Sequence, residues 1–290
     1  MKLDPNSIRY LTKDEFRVLV SIELGMRNHE VVPSQLIESI AQLKRGGTYK
    51  TLLNLLKLKL VNHENKKYDG YTLTYQGYDY LAIKTLIKRG LISGLGPKIG
   101  TGKESDIYLC CNEEGQRIVL KLARLGRTSF RAIKNKRDYL QNRTQYNWLY
   151  LSRLSSVKEY SFMKVLHEHD FPTPTPIEWN RHAILMTLAP GYQMNNIQKM
   201  ANPHRVYNDL IGLIIKFAQS GLIHSDFNEF NLMVDEDESV TVIDFPQMVS
   251  TSHPNAEYYF NRDIECIKTF FKKRFGLIFD EAVTLQDDGQ

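Results

Sequence analysis

The chain has 290 residues, of which 42% are hydrophobic, as expected for one large or two smaller globular domains with a real core. No stretch approaches the roughly 18–20 apolar residues of a membrane span, and the polar first residues do not resemble a signal peptide. Cys110, Cys111 and Cys266 have neither CxxC spacing nor a disulfide framework, so we expect reduced thiols in an intracellular protein that does not contact membranes.

The net charge of +5 is unevenly distributed. Residues 1–90 contain 15 Lys and Arg against nine Asp and Glu, and residues 124–153 contain eight basic side chains against one acid. Two basic regions favour a polyanionic partner in addition to any small ligand, most simply nucleic acid. The alternative is an ordinary solvated surface.

The first ninety residues predict three helices and a hairpin. The capping-box pattern Thr12-x-x-Glu15 starts the first helix, which Gly25 ends. The spacing of apolar residues predicts two more helices and then two strands, over 33–43, 48–58, 60–63 and 71–74. A further helix over 75–90 precedes a Gly/Pro-rich stretch, 92–97, which has the composition of a connection.

This order of elements is typical of a winged helix, whose third helix enters a nucleic-acid groove. Basic residues lie on or beside the third helix and the wing: Lys44, Arg45, Lys50, Lys57, Lys59, Lys66 and Lys67. A docking module for another protein is the alternative. We predict a winged-helix domain over 1–90 and a second domain over 91–290.

A glycine-containing loop lies at 100–105, between two apolar stretches. Its glycines let the backbone approach phosphate oxygens. A Walker A loop is excluded, because Pro97 stands where a glycine is needed and Glu104 replaces the Ser/Thr that binds magnesium.

An apolar strand over 116–122 follows and carries one lysine, Lys121. A lysine in a buried strand is costly unless it is paired. Glu159, 38 residues further on in a predicted helix over 151–167, is a candidate partner. A strand lysine paired to a helical glutamate is the arrangement of protein kinases.

The strongest motif is Asp226-x4-Asn231, which follows an apolar strand. A second apolar strand ends in Ile243-Asp244-Phe245-Pro246, at the position of the kinase DFG motif. Two carboxylates and an amide provide the oxygen ligands that Mg²⁺ prefers. Asp226 can orient or deprotonate an attacking hydroxyl or water, and Asn231 and Asp244 can hold the metal.

The motif departs from typical kinases at three points. Ser225 replaces the arginine of HRD, and Pro246 replaces the glycine of DFG. After Asp244, 46 residues remain and contain no Ala-Pro-Glu. We therefore expect the chemistry of ATP without the helical platform on which typical kinases bind peptides.

Together these motifs resemble the RIO family of atypical kinases, most closely its second subgroup, which has an amino-terminal winged helix. The sequence IHSDFNEFNL at 223–232 is close to a family signature, and 100–108, 118–122 and 243–246 also match. The resemblance implies an α+β fold in which the winged helix precedes a minimal bilobal RIO domain, with an N-lobe over about 91–186 and a C-lobe over about 191–290.

The resemblance also implies residue roles. Asp226 and Asp244 would be catalytic, and Asn231 and Asp244 would bind Mg²⁺. Contacts to ATP are implied for Gly100, Lys103, Ser105, Ile107, Lys121, Glu159, Met186, Leu188, Ala189 and Ile243.

Met186 would be the gatekeeper, with Leu188 and Ala189 beside adenine. The family usually has Glu, Ile and Asp at positions 187, 189 and 190, where this chain has Thr, Ala and Pro. Because adenine bonds largely to backbone, we expect the pocket to survive with altered side-chain contacts.

Family members are implied to act in late maturation of the small (40S) ribosomal subunit. The expected partners are the pre-40S particle and its 18S-type rRNA, contacted by the winged helix and the basic loop 124–153, together with ribosome-assembly proteins. ATP use would resemble a switching ATPase, with a phosphoryl group held on Asp244. We expect a cytoplasmic monomer, with shuttling through the nucleus left open, and Ser129 is a candidate autophosphorylation site.

Three alternatives remain at this point. The chain could be a serine/threonine kinase acting on a ribosome-assembly protein. It could be a pseudokinase scaffold, although the presence of Lys121, Asp226, Asn231 and Asp244 argues against that. It could also be a winged-helix DNA-binding regulator with a degenerate kinase appendage.

Overall fold

A computed structural model describes residues 5–66, 68–125 and 147–278. Lys67, the segment 126–146 with Ser129, and residues 279–290 lie outside the described residues. Within the part that is described, no helix is both long and apolar enough to cross a membrane.

The chain divides into two compact units, each described by itself below. Unit 1 consists of Met1–Val157 and Ile177–Met186, and unit 2 consists of Lys158–Pro176 and Thr187–Gln290. Unit 1 therefore contains both the predicted winged helix and most of the predicted N-lobe. The predicted domain bounds at 90 and 91 stay a prediction.

The amino-terminal part of unit 1 has the predicted order of helices and hairpin. Its helices are α1 Pro5–Tyr10, α2 Lys13–Gly25, α3 Ser34–Ala41, α4 Gly47–Lys57 and α5 Tyr75–Lys88. Its strands are β1 Val32–Pro33, β2 Val61–Glu64 and β3 Gly70–Leu73, in the order β1-β3-β2.

The capping box at the start of α2 is confirmed. The Thr12 N–H donates to Glu15 Oε2 at 2.7 Å, and the Glu15 N–H donates to Thr12 Oγ1 at 3.2 Å. Buried side chains of α2, α3 and α4, including Leu19, Ile37 and Leu55, form the core beneath the hairpin. Apolar spacing thus predicted these helices correctly, whereas α1 and β1 are too short to show a period.

The rest of unit 1 is built on a five-stranded sheet. Its strands are β4 Gly94–Thr101, β5 Ser105–Cys111, β6 Arg117–Ala123, β7 Pro176–Asn180 and β8 Ala183–Thr187, in the order β4-β5-β6-β8-β7. The predicted strand over 116–122 is confirmed as β6. Helix α6, Trp148–Glu168, begins in unit 1 and ends in unit 2.

The prediction of a connection over 92–97 was wrong, because Gly94–Thr101 is strand β4. This strand contains Gly94, Gly96, Pro97 and Gly100, and its register with β5 shifts twice, between Leu95 and Lys98 and between Lys98 and Gly100. Glycine and proline are depleted in strands and mark edges and bulges, so the pattern concealed an irregular edge strand.

Unit 2 contains the end of α6, two more long helices and two small sheets. Its further elements are β9 Tyr192–Gln193, α7 Pro203–Gln219, β10 Leu222–Ile223, β11 Leu232–Val234, β12 Val240–Val242, β13 Val249–Ser250 and α8 Ala256–Phe275. The sheets have the orders β12-β11-β9 and β10-β13. The β11–β12 hairpin pairs Leu232 with Val242, which brings the ends of the two predicted motifs together. The fold is mixed helix and sheet, as predicted.

Candidate active site

The loop predicted to contact phosphates is the turn of the β4–β5 hairpin in unit 1. Gly100 pairs with Ile107 across this hairpin, and the Gly102 N–H donates to the Ser105 carbonyl at 2.8 Å to close the turn. Lys103 is exposed and Ser105 is half-buried. The turn thus presents a lysine, a hydroxyl and backbone N–H groups, which are donors suited to phosphate oxygens.

Lys121 lies on β6, directly opposite Ile107 of β5. It is 7% exposed, so the prediction of a buried strand lysine is confirmed. A buried ammonium is stable only beside negative charge or hydrogen-bond acceptors, which makes it suited to hold a phosphate. Glu159 belongs to unit 2, and its predicted pairing with Lys121 stays a prediction.

The predicted adenine contacts surround the end of β8. Met186, in unit 1, is buried with 8% exposure, whereas Leu188 and Ala189 begin the stretch of unit 2 that follows the strand. In unit 2 the Thr187 N–H donates to the Thr175 carbonyl at 3.0 Å, and the Thr175 N–H donates to Thr187 Oγ1 at 2.9 Å. The threonine that departs from the family pattern therefore has a structural role of its own.

Asp226, in unit 2, is held by amide side chains. Asn231 Nδ2 donates to its carbonyl at 2.9 Å and its Oδ2 at 3.2 Å, and Asn228 Nδ2 donates to its Oδ1 at 3.0 Å. Burial raises the pKa of the Asp226 carboxyl above its ordinary value, and the negative charge of Asp244 raises that pKa further. Both predicted catalytic carboxylates therefore belong to unit 2, and the charge of Asp244 acts on the Asp226 carboxyl.

Asp244 follows strand β12 with a φ of 76°, in the left-handed region. The preceding Ile243 N–H donates to the Asn231 carbonyl at 2.9 Å, and the following Phe245 N–H donates to Glu159 Oε1 at 3.4 Å. A left-handed conformation costs a non-glycine residue about 1–3 kcal/mol and persists where neighbouring contacts fix it. Asn231 and the buried Glu159 supply those contacts on either side of Asp244.

The donor set fits a magnesium ion. Asn231 uses Nδ2 in its bonds to Asp226, so its amide would contribute oxygen, as would Asp226 and Asp244. Carboxylate and amide oxygens are the hard donors that Mg²⁺ binds. We predict Asn231 and Asp244 as ligands on this basis.

Sequence reasoning missed Asp263, which lies on α8 with 1% exposure. Its carboxylate accepts the backbone N–H groups of Ser225 at 2.7 Å and Phe227 at 3.0 Å, the residues on either side of Asp226. The available signal was an acid on the buried face of an amphipathic helix, between Phe260 and Ile264. Such a residue is uncommon without a partner.

Gln247 was also missed. Its Nε2 donates to Asp226 Oδ2 at 3.3 Å, and its carbonyl accepts the Ser225 hydroxyl at 2.5 Å. The serine that replaces the HRD arginine is therefore buried and bonded to the segment that follows Asp244.

Two family models match the chain. The model described as "RIO domain" matches residues 106–283, and the model described as "Rio2, N-terminal" matches residues 8–89.

Relatives match over most of the chain. The serine/threonine-protein kinase rio2 of Dictyostelium discoideum is 58% identical over 287 residues, 99% of this chain and 55% of that protein. The RIO-type serine/threonine-protein kinase Rio2 of Methanocaldococcus jannaschii is 36% identical over 86% of this chain and 92% of that protein. This chain thus spans about half the length of the first relative and nearly all of the second.

A solved structure is also similar. The crystal structure of the Rio2 kinase–ADP/Mg²⁺–phosphoaspartate complex from Chaetomium thermophilum has a TM-score of 0.86 and 47% sequence identity, and the match covers 97% of this chain and 86% of that one.

Proposed function

From the premise that the chain belongs to the RIO family of serine/threonine protein kinases, in the Rio2 branch with an amino-terminal winged helix, we propose that it is a Mg²⁺-dependent enzyme that transfers the γ-phosphoryl group of ATP. The carrying observation is the arrangement in unit 2, where the Asn231 amide donates to Asp226 and the Asn231 carbonyl accepts the N–H of Ile243, next to Asp244. The charge of Asp244 also acts on the Asp226 carboxyl. A non-catalytic scaffold would not need this arrangement.

The ATP contacts that the family resemblance implies are the hairpin 100–105 and Lys121 for the phosphates and Met186, Leu188 and Ala189 for the adenine. Ile107 and Ile243 would pack beside the nucleotide. Bound Mg²⁺ would supply neutralisation of the phosphate charge. Glu159 fixes the backbone at Phe245 and thereby the position of Asp244.

We propose further that the phosphoryl acceptor is Asp244 itself. A carboxylate oxygen would form the new bond to the γ-phosphorus while the bond from that phosphorus to the β-bridging oxygen breaks, and ADP leaves with the electron pair. Water would then attack the acyl phosphate, and Asp226, whose raised pKa suits a proton acceptor, would take the proton of that water. The products are phosphate and the free Asp244 carboxylate.

The similar Rio2 structure, whose description includes ADP, Mg²⁺ and a phosphoaspartate, supports this step. The Rio2 relatives are described as serine/threonine-protein kinases, which supports transfer to a protein hydroxyl as the second candidate. The two candidates differ in the chemical bond that holds the transferred phosphate.

Incubation with Mg²⁺ and γ-labelled ATP, followed by treatment with hydroxylamine, separates the candidates. We expect a protein-bound label that hydroxylamine releases and that is absent from Asp244→Asn. A hydroxylamine-resistant label on Ser or Thr would indicate a protein kinase instead. No label and no turnover in the wild type would overturn both candidates.

We propose that the partner is the pre-40S ribosomal particle in the cytoplasm, and that ATP hydrolysis drives release from it. Exposed Tyr49, Leu53 and Lys57 recur every four residues along α4, opposite buried Leu52 and Leu55. An exposed stripe with an aromatic and a basic residue suits stacking on unpaired bases and contact with phosphates of rRNA.

The salt dependence of binding to a labelled fragment of small-subunit rRNA tests this partner. The binding constant falls as the salt concentration rises, and each lost phosphate contact reduces the steepness of log K against log salt concentration by about 0.7–0.9. The double variant Lys50→Gln/Lys57→Gln should therefore reduce this steepness by up to about 2. Lys88→Gln, an exposed lysine of α5, is the matched control. An unchanged slope in the double variant would exclude this face.

The basic segment is tested in the same assay with Arg131→Gln/Lys134→Gln/Arg137→Gln. We expect a flatter slope if this segment contacts RNA, and an unchanged slope if it is ordinary surface. Asp244→Ala should abolish ATP turnover and leave RNA binding intact, because the two activities are assigned to different residues.

A further inference from the structure

Four ionisable side chains meet in the interior of unit 1. Asp79 of α5, Asp106 of β5, Arg124 at the end of β6 and His182 before β8 are each at most 3% exposed. None of the four is among the residues assigned to the nucleotide above. Buried charges are uncommon and costly, so their pairing requires an explanation.

Arg124 is the centre of this buried cluster. Its two terminal nitrogens donate to the two carboxylate oxygens of Asp79, at 2.6 and 2.8 Å, and its Nε donates to Asp106 Oδ2 at 2.8 Å. The planar guanidinium thus joins helix α5 to the sheet with bidentate geometry, which a lysine could not reproduce.

Lys98 and His182 complete the cluster. Lys98 Nζ donates to Asp106 Oδ1 at 2.9 Å, so two cations face two carboxylates. Burial holds the pKa of His182 below its usual range, and a neutral ring donates through Nε2 to Asp79 Oδ1 at 2.7 Å. Among the described residues the cluster thus pairs two cations with two carboxylates, and removal of Asp79 takes from the buried Arg124 guanidinium one of its two carboxylate partners.

Two short connections join the cluster to the hairpin 100–105, the proposed phosphate site. The Arg124 backbone N–H donates to the Glu104 carbonyl, within the turn of that hairpin, at 2.6 Å. Asp106 directly follows Ser105, and it pairs with Thr101 on β4. A shift of the Arg124 side chain would therefore be transmitted to the backbone on both sides of Ser105.

We propose that Asp79 is a positioning residue for the hairpin 100–105, acting through Arg124 and Asp106. This inference rests on the proposed function, since it takes the hairpin to be the phosphate site. Asp79 belongs to the stretch matched by the Rio2 N-terminal model, residues 8–89, and not to the RIO domain. The amino-terminal part of the chain thus sets nucleotide affinity as well as offering a surface to a partner.

A second ion pair provides a matched control. Arg181 Nε and a terminal nitrogen donate to the two carboxylate oxygens of Glu23, each at 2.8 Å, and join α2 to the turn between β7 and β8. This pair also crosses between the amino-terminal helices and the sheet, and it makes no bond to the hairpin. Glu23→Gln therefore removes the charge from a similar but more exposed link, in which Arg181 keeps its bonds to the Leu81 carbonyl and Thr85 Oγ1.

The test measures binding of Mg²⁺-ADP by calorimetry, well below the melting temperature of each variant. We expect Asp79→Asn to weaken binding about tenfold and Glu23→Gln to leave it within about twofold, although both lower the melting temperature. Equal affinities in the two variants would show that Asp79 is only a structural link and would overturn the proposal.

If Asp79→Asn does not fold, Asp79→Glu is the second test variant. This substitution keeps the negative charge and moves the carboxylate by one methylene. We expect it to raise the KM for ATP more than it lowers kcat, whereas an unchanged KM would overturn the proposal. Wild-type protein that binds no Mg²⁺-ADP would contradict the proposed function itself. Wild-type binding with unaffected Asp79 variants would contradict only the positioning role.

Discussion

The carboxylate of Asp263 accepts the backbone N–H of Ser225 at 2.7 Å and holds that residue at a φ of 61°, in the left-handed region. A non-glycine residue in this region costs about 1–3 kcal/mol. The same carboxylate accepts the Phe227 N–H, so the backbone is fixed on both sides of Asp226. Asp263 is therefore a positioning residue for the proposed proton acceptor.

We predict that Asp263→Asn lowers kcat for ATP turnover by about tenfold or more, with little change in nucleotide affinity. An asparagine has one acceptor oxygen, so its NH₂ group would face one of the two backbone N–H groups. The displaced loop would misplace Asp226, and such misplacement lowers the rate steeply. Steady-state kinetics and calorimetry measure the two quantities.

The control for this prediction is Glu265→Gln, two residues further along α8. Glu265 Oε1 accepts only an exposed hydrogen bond, from Thr269 Oγ1 at 3.2 Å. The Glu265→Gln variant should turn over ATP at the wild-type rate. Equal kcat values for Asp263→Asn and Glu265→Gln would contradict the positioning role of Asp263.

Stability should also depend on pH through Asp263. Burial raises the pKa of this carboxyl from 3.8 to about 6. The folded protein therefore binds the Asp263 proton more tightly than the unfolded chain does. The stabilisation that this proton gives the folded state is complete below pH 3.8 and is lost as the pH rises through about 6. The loss amounts to about 3 kcal/mol.

Urea unfolding at pH 4, 5, 6 and 7 checks this contribution. In Asp263→Asn the fall in unfolding free energy across this range should be smaller than in the wild type by about 2 kcal/mol, most of the full contribution. In Glu265→Gln the wild-type fall should remain. Identical profiles for the wild type and Asp263→Asn would contradict the prediction.

The pKa of the Asp226 carboxyl should depend on the charge of Asp244. The charge of Asp244 contributes to the raised pKa of Asp226, so Asp244→Asn should lower the pKa of Asp226 towards its ordinary value. Carbon-13 NMR of the labelled side-chain carboxyl groups would measure this. Asp237→Asn, in the loop before β12, should leave the Asp226 titration unchanged.

Gly191 should be intolerant of a side chain for two separable reasons. Its φ is 77°, and a Cβ would lie 2.0 Å from the Val234 carbonyl oxygen. Gly115 has the same φ of 77° and nothing within 4 Å of the position of its Cβ. Gly115→Ala should cost about 1–2 kcal/mol through φ alone, and Gly191→Ala should cost more because backbone must move.

Denaturant unfolding gives both free energies, and equal losses would contradict the steric argument. Because Gly191 follows Leu188 and Ala189 closely, Gly191→Ala should also weaken nucleotide binding, whereas Gly115→Ala should not.

The features that the sequence predicted correctly depend on interactions between residues close together in the chain. The capping box at Thr12, the strand around Lys121 and the Asp226-x4-Asn231 spacing each involve residues within one element or loop. Helix and strand periods arise from backbone geometry, so they are readable without knowledge of the fold. The family resemblance then supplied the roles of residues that lie far apart in sequence.

The contacts that sequence reasoning missed join distant elements. Asp79 and Arg124 are 45 residues apart, and Ser225 and Asp263 are 38 apart. Each acid lies among apolar residues of a helix, which indicates that a partner exists but not which one. Strand β4 was missed for another reason, because its glycines and proline suppress the usual strand pattern.

The irregularity of β4 has a consequence for the behaviour of the protein in concentrated solution. This strand lies at the edge of the five-stranded sheet, where a regular strand would offer unpaired N–H and C=O groups to any passing chain. Pro97 removes one of those donors, and the two register shifts interrupt the flat edge that a foreign strand would need. The hairpin 100–105, which we propose as the phosphate site, is thereby protected from aggregation through edge-to-edge pairing.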